Sequence, residues 1–156
     1  MTIQAIYAHT NLIAKDWRHL ADFYIQVFGC IPLPPERDLR GDALERGTGI
    51  PGAHLQGMHL LLPGYGSSGP TLEIFTYEPL AESGQRAVNR PGYGHLAFRV
   101  SNLGEAREQV LAAGGKAIGE VVTTPVGNDQ QISWCYLTDP EGNLLELQTV
   151  ITHREA

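Results

Sequence analysis

Residues 139–148 read DPEGNLLELQ, a turn sequence that leads directly into an apolar stretch carrying one carboxylate. The Asp-Pro and Gly-Asn pairs favour a chain reversal, and the leucines on both sides of Glu146 indicate a buried strand. A carboxylate between apolar neighbours is costly unless it is paired, hydrogen-bonded or bound to a metal. The stretch therefore marks Glu146 as a candidate functional residue on a closing strand.

An equivalent arrangement lies earlier in the chain. Residues 71–75, TLEIF, again place a carboxylate, Glu73, between apolar residues of a predicted strand. His9 and His95 stand on the predicted first strands of the two segments, at the same interval that separates the two glycines predicted to end the helices. This spacing indicates one module written twice, with the longer copy first.

The predicted elements have the same order in both copies: a strand, a helix and three further strands. In the first copy they are strand 3–13, a helix capped by Asp16 and ended by Gly29, a loop with an irregular strand over 32–52, and hairpin strands 53–62 and 71–77. In the second they are strand 93–100, a helix capped by Ser101 or Asn102 and ended by Gly114-Gly115, and strands 117–124, 132–138 and 144–150. Because one four-stranded sheet cannot bury both faces, we expect an α+β fold in which two tandem βαβββ modules form a curved mixed sheet around a central metal-binding cavity. A single domain, 1–156, would contain both modules, at about 1–80 and 92–152.

Charge and composition exclude several classes of protein. The net charge is -6 and the sequence has no basic run, so a nucleic-acid-binding surface is not expected. No segment approaches the roughly 20 apolar residues of a membrane span, and we expect a cytoplasmic protein that binds no membrane. The two cysteines, Cys30 and Cys135, have apolar neighbours and are predicted to be buried free thiols.

The two histidines and two glutamates together predict a metal site. Taken singly, a strand histidine is more often structural and a strand glutamate more often faces solvent. As two matched pairs, His9 with Glu73 and His95 with Glu146, they form a set that suits a divalent Zn, Ni, Co, Mn or Fe ion. His59 faces the same cavity if the hairpin register places it opposite Glu73.

The paired order of elements, with these histidines and glutamates, resembles the vicinal oxygen chelate superfamily, which includes glyoxalases, methylmalonyl-CoA epimerases, extradiol dioxygenases and bleomycin-resistance proteins. The resemblance covers nearly the whole chain. Its most specific parts are His9 with the helix 16–29, Leu72-Glu73, Gly94-His95, and the turn 139–143 with Leu145-Glu146-Leu147. It implies metal ligation by His9, Glu73, His95 and Glu146, and it implies a homodimer.

The resemblance also implies chemistry on a small molecule whose two neighbouring oxygens chelate the metal. Glu73 and Glu146 would act as ligands and proton carriers in a metal-dependent isomerase, epimerase or glyoxalase-like lyase. Bacterial glyoxalases usually carry an arginine at the position of Ile13, which argues against glutathione as the substrate. The candidate substrate-binding residues are Arg99, Asn11 and His59; register leaves open whether Met58 or His59, and whether Ser133 or Cys135, lines the cavity.

Two alternatives remain. An extradiol-type dioxygenase would use Fe(II) with two histidines and one carboxylate, and a fourth protein ligand argues against it. A metal-free binding protein, as in antibiotic resistance, has no reason to keep two buried glutamates opposite two histidines.

Overall fold

The computed structural model describes residues 2–82, 84, 86–126 and 130–152. The chain divides into two compact units, Met1–Ser83 and Gly84–Ala156. Each unit combines helix with one mixed sheet, which confirms the predicted α+β fold. Within the described part of the chain, no helix is both long enough and apolar enough to cross a membrane.

The first unit is a four-stranded sheet with two helices. Its elements are strand β1 (His9–Ile13), helix α1 (Trp17–Phe28), strand β2 (Ile31–Arg40), helix α2 (Asp42–Thr48), strand β3 (His54–Leu61), a 3₁₀ turn (Gly66–Ser68) and strand β4 (Thr71–Glu78). The strand order is β1-β4-β3-β2. β1 runs parallel to β4, while β3 pairs with β2 and β4 in the antiparallel sense.

Helix α1 forms where it is predicted, because its capping residues and its apolar stripe indicate the same helix. The Asp16 side chain accepts a hydrogen bond from the backbone N–H of His19 at 3.1 Å, and Gly29 ends the helix with φ 68°. The stripe includes Leu20 and Tyr24, both fully buried, and the helix packs against β3 and β4. This packing covers one face of the sheet and leaves the other for the candidate site.

Two predictions for the first unit need correction. Residues 32–52 contain the predicted irregular strand, since β2 has a register shift between Leu33 and Arg37, but the remainder is not a loop because it forms the helix α2. Prolines in this stretch hide the strand pattern, and the sheet accepts them because β2 is an edge strand. The first strand begins at His9 and not at residue 3, because its partner β4 begins only at Thr71, directly opposite His9.

The second unit repeats the arrangement. Its elements are strand β5 (Leu96–Arg99), helix α3 (Leu103–Ala112), strands β6 (Lys116–Ala117), β7 (Val122–Pro125), β8 (Gln130–Thr138) and β9 (Leu144–Thr152). The order is β5-β9-β8-β6, with β7 also paired to β8, and β5 runs parallel to β9. In both units the first strand is thus the parallel neighbour of the last strand.

The second unit departs from its prediction in two places. The strand expected over 117–124 is broken into β6 and β7, and Gly119 between them has φ 120°, a backbone conformation that favours glycine. His95 lies one residue before β5 and not within it. The expected buried free thiols are confirmed for Cys30 and Cys135.

Candidate metal centre

In the first unit, His9 and Glu73 lie together because β1 runs parallel beside β4. His9 Nδ1 is 3.4 Å from Glu73 Oε1. The glutamate side chain is only 12% exposed, whereas the imidazole is 46% exposed. A largely buried carboxylate thus faces an imidazole that opens toward the surface of the unit.

His59 contacts the same carboxylate from the opposite side. It is the direct partner of Glu73 across the β3–β4 pair, and its Nε2 lies 3.3 Å from Glu73 Oε1. Its ring is tilted against Phe75 with centroids 5.6 Å apart. Burial lowers the pKa of His59; the negative charge of Glu73 opposes this, and the positive charge of Arg37 adds to it. Of the two residues that register left open, His59 therefore shares the face of Glu73, and Met58 pairs with Ile74 on the helix-covered face.

In the second unit, His95 and Glu146 form the equivalent pair. His95 Nε2 lies 2.9 Å from Glu146 Oε2, and the two side chains are 32% and 17% exposed. The imidazole is tilted over Tyr136 at 5.1 Å between ring centroids, and Tyr136 is the direct strand partner of Glu146. The tilted ring contact with Tyr136 and the short distance to Glu146 Oε2 together hold the imidazole beside the carboxylate.

The remaining predicted residues have different outcomes. Asn11 is the strand partner of Glu73, and its side-chain N–H donates to the Glu73 carbonyl at 3.4 Å. Arg99 ends β5, is exposed, and lies opposite Gln148. Ser133 and Cys135 are wrong as candidates for the sheet face that carries the His–Glu pair. They lie on the face of β8 opposite to that of Tyr136 and Glu146, because successive strand residues point to opposite faces.

Sequence reasoning missed three residues of these faces. Tyr136 and Trp134 share the face of Glu146, and their rings are 5.3 Å apart. The period-two alternation of β8 is a sufficient signal for both, once the register with Glu146 is correct. Arg37, on β2, lies on the face of His59 and Glu73. No signal places Arg37 on this face, since the irregular strand predicted within 32–52 has no predicted bounds or register.

The donor chemistry fits a divalent metal ion. Each unit brings one imidazole nitrogen and one carboxylate oxygen together at equivalent positions of equivalent sheets. These are the borderline and hard donors that Zn, Ni, Co, Mn and Fe accept. Among the described residues, no three His, Cys, Asp or Glu side chains form a ready-made metal cluster. The four-ligand site stays a prediction.

The structure is similar to solved structures along nearly its whole length. A glyoxalase family protein from Bacillus cereus is 19% identical with a TM-score of 0.79, and the match covers 96% of this chain and 97% of that one. A glyoxalase/bleomycin resistance protein/dioxygenase domain from Frankia is 18% identical with a TM-score of 0.58 and coverage of 99% and 96%. The fosfomycin resistance protein FosX from Listeria monocytogenes, complexed with Mn(II) and sulfate, is 18% identical with a TM-score of 0.52 and coverage of 95% and 93%. At these identities the similarity shows the fold alone.

Comparison with curated proteins finds no match. The sequence model of one family, however, matches residues 6–147, which is most of the chain and includes all four candidate ligands. The resemblance inferred from the two His–Glu pairs is thereby confirmed: the chain belongs to the glyoxalase/bleomycin resistance protein/dioxygenase superfamily.

Proposed function

We propose that this protein is a divalent-metal-dependent enzyme that moves a proton next to a chelated carbonyl of a small molecule. The reaction would be that of an isomerase, an epimerase or a glyoxalase-like lyase. The observation that carries this proposal is the repeated pair: an imidazole beside a largely buried carboxylate in each unit. A protein that only sequesters a ligand does not need two such pairs.

His9, Glu73, His95 and Glu146 would hold the ion, which is Zn, Ni, Co, Mn or Fe. Burial of both carboxylates supports this assignment, because a buried carboxylate requires a cation or strong hydrogen-bond donors. The Mn(II) bound by FosX also supports a divalent ion in this superfamily. When bound, such an ion polarises the substrate carbonyl and lowers the cost of removing the neighbouring proton.

Glu73 and Glu146 would carry the proton. A carboxylate within hydrogen-bond reach of an acidic C–H accepts its proton, and a second carboxylate returns one to the same or the adjacent carbon. Return to the same carbon gives epimerisation, and return to the neighbouring carbon gives isomerisation. His59 holds Glu73 Oε1 from the opposite side to His9, so it would orient this carboxylate.

Hydrogen exchange in D₂O tests this function even while the natural substrate is unidentified. A panel of small molecules with a C–H beside a carbonyl, and a neighbouring hydroxyl or carboxylate, is incubated with the protein and followed by proton NMR. We expect exchange that requires added Mn, Ni, Co or Zn and falls at least a hundredfold in Glu73→Gln and Glu146→Gln.

The exposed glutamates provide matched controls, because Glu82→Gln and Glu120→Gln make the same chemical change outside the strands. Both should exchange at the wild-type rate. Full metal-dependent exchange in Glu73→Gln or Glu146→Gln would overturn the assignment. Oxygen uptake with a catechol would favour the dioxygenase, and ligand binding with no metal requirement would favour the binding protein.

A further inference from the structure

Arg37 lies on the same sheet face as the first His–Glu pair. In the β2–β3 register it is the direct partner of Gly57, and His59 stands two residues further along β3 opposite Glu73. Residues directly opposite each other in an antiparallel pair share a face, and so do residues two apart in one strand. Arg37, His59 and Glu73 therefore occupy one face across three neighbouring strands.

The strand position between Arg37 and Phe75 has no side chain. Gly57 pairs with both residues, and a Cβ added to it would lie 2.3 Å from Cδ1 of Phe75 and 2.1 Å from the carbonyl oxygen of Ile74. The Phe75 ring thus packs directly on the backbone of Gly57. An apolar surface consequently adjoins the strand position of Arg37 on this face.

The guanidinium of Arg37 carries a charge that no carboxylate neutralises within the described part of the chain. It donates one hydrogen bond to the Pro35 carbonyl, which anchors one of its nitrogens. Two other arginines of this unit do have carboxylate partners: Arg18 pairs with Glu36 at 2.7 Å, and Arg40 pairs with Asp38 at 3.5 Å. Arg37 is also half-buried, which strengthens its attraction for an anion relative to a fully solvated cation.

Arg37 lies on the sheet face of the candidate site, because it pairs with Gly57, two residues before His59 on β3. A planar guanidinium with several N–H donors matches the geometry of a carboxylate, phosphate or phosphonate. The position suits an oxyanion bound beside His59 and Glu73.

We propose that Arg37 is the residue that binds an anionic group of the substrate, and that the substrate is therefore a small oxyanion. This inference rests on the proposed function, which describes the reacting end of the substrate. It predicts a carboxylate, phosphate or phosphonate on the substrate in addition to the oxygens that chelate the metal. It also predicts that Arg37, and not Arg99 at the exposed end of β5, is the main anion contact.

Inorganic phosphate is the probe for the test. The full-length chain, freed of metal by chelation and gel filtration, is titrated with phosphate at constant ionic strength and followed by amide and imidazole NMR. We expect saturable chemical-shift changes at Gly57 and His59. In Arg37→Gln the apparent Kd for phosphate should be at least tenfold higher. Arg37→Lys should bind more weakly than wild type and more tightly than Arg37→Gln, because it keeps the charge and loses the bidentate geometry.

Arg18→Gln is the matched control, since it removes an exposed arginine of the same unit that already has a carboxylate partner. It should bind phosphate like the wild type. Equal phosphate binding by Arg37→Gln and wild type, or shifts that centre on Arg99, would overturn the proposal. The titration uses neither metal nor turnover. If Arg37→Gln binds phosphate with the wild-type Kd and still catalyses metal-dependent exchange, only the anion-binding role of Arg37 is refuted. If the wild-type protein binds no metal, the proposed function is refuted, but the phosphate titration still tests whether Arg37 binds an anion.

Discussion

His95 Nε2 lies 2.9 Å from Glu146 Oε2, with His95 directly before β5 and Glu146 on its parallel neighbour β9. His9 and Glu73 form the counterpart on the parallel neighbours β1 and β4, at 3.4 Å. The same topology therefore brings an imidazole and a carboxylate together twice. Duplication of one module explains why the two pairs have the same residue types, since each copy supplies the same strand neighbours.

Removal of the His59 imidazole should weaken metal binding by roughly ten- to a hundredfold, the effect expected for a group that orients a ligand. His59 contacts Glu73 Oε1 at 3.3 Å, so His59→Ala frees that carboxylate to adopt other rotamers. Isothermal titration with Zn or Mn measures the change. Met58→Ala is the control, because Met58 is the adjacent residue on the opposite face. Equal metal affinities for His59→Ala and wild type would show that His59 does not position Glu73.

A methyl group at position 57 should destabilise the first unit by about 3 kcal/mol, as overpacking of a filled site does. The added Cβ of Gly57→Ala would meet the Ile74 carbonyl oxygen at 2.1 Å and Phe75 Cδ1 at 2.3 Å. Urea unfolding followed by circular dichroism measures the free energy. Gly104→Ala in helix α3 is the control, because its nearest atom would be Asn102 Oδ1 at 3.6 Å and alanine favours a helix. A Gly57→Ala protein as stable as the wild type would mean that β3 and β4 do not pack this closely.

Asp38 should make the stability of the protein depend on pH in the acid range. Its carboxylate accepts hydrogen bonds from His54 at 2.7 Å and from Gln56 at 3.0 Å, and these contacts, His54 first, lower its pKa below the ordinary value of 3.8. The folded state thus favours the charged form. The stabilisation is fully present above the unfolded pKa and is lost as the pH falls through the lower folded pKa.

Asp38→Asn should therefore lower the free energy of unfolding at pH 6, and its difference from wild type should shrink as the pH falls below 3.8. Urea unfolding at a series of pH values measures both curves. Glu82→Gln, at an exposed position outside the strands, should leave the curve unchanged. A difference that stays constant from pH 6 to pH 2 would contradict the assigned role of Asp38.

Local signals make part of this fold predictable. Helix α1 follows from its cap at Asp16, its apolar stripe and its ending glycine, all of which agree. The pairs His9–Glu73 and His95–Glu146 are predictable as candidates because polar residues in apolar strands require an explanation, and duplication supplies one. The structure confirms that the members of each pair lie together.

Other features of the fold depend on which strands pair and in which register, and the sequence does not show this. β2 contains Pro32 and two further prolines, so it resembles a loop until its edge position in the sheet is known. Arg37 escapes prediction for that reason. Ser133 and Cys135 are expected on the wrong face because a shift of one residue moves a strand side chain to the other side of the sheet. Register across strands, and not local propensity, decides which residues line the site.

We propose that the two His–Glu pairs together bind one metal ion per chain. The full-length protein is loaded with Zn or Mn, dialysed, and measured by inductively coupled plasma mass spectrometry beside Glu73→Gln, Glu146→Gln and the control Glu120→Gln. We predict one ion per chain in the wild type and in the control, and almost none in either of the other variants, although each keeps one pair intact. A full equivalent of metal retained by Glu146→Gln, or a wild-type chain that binds no divalent ion, would contradict the account.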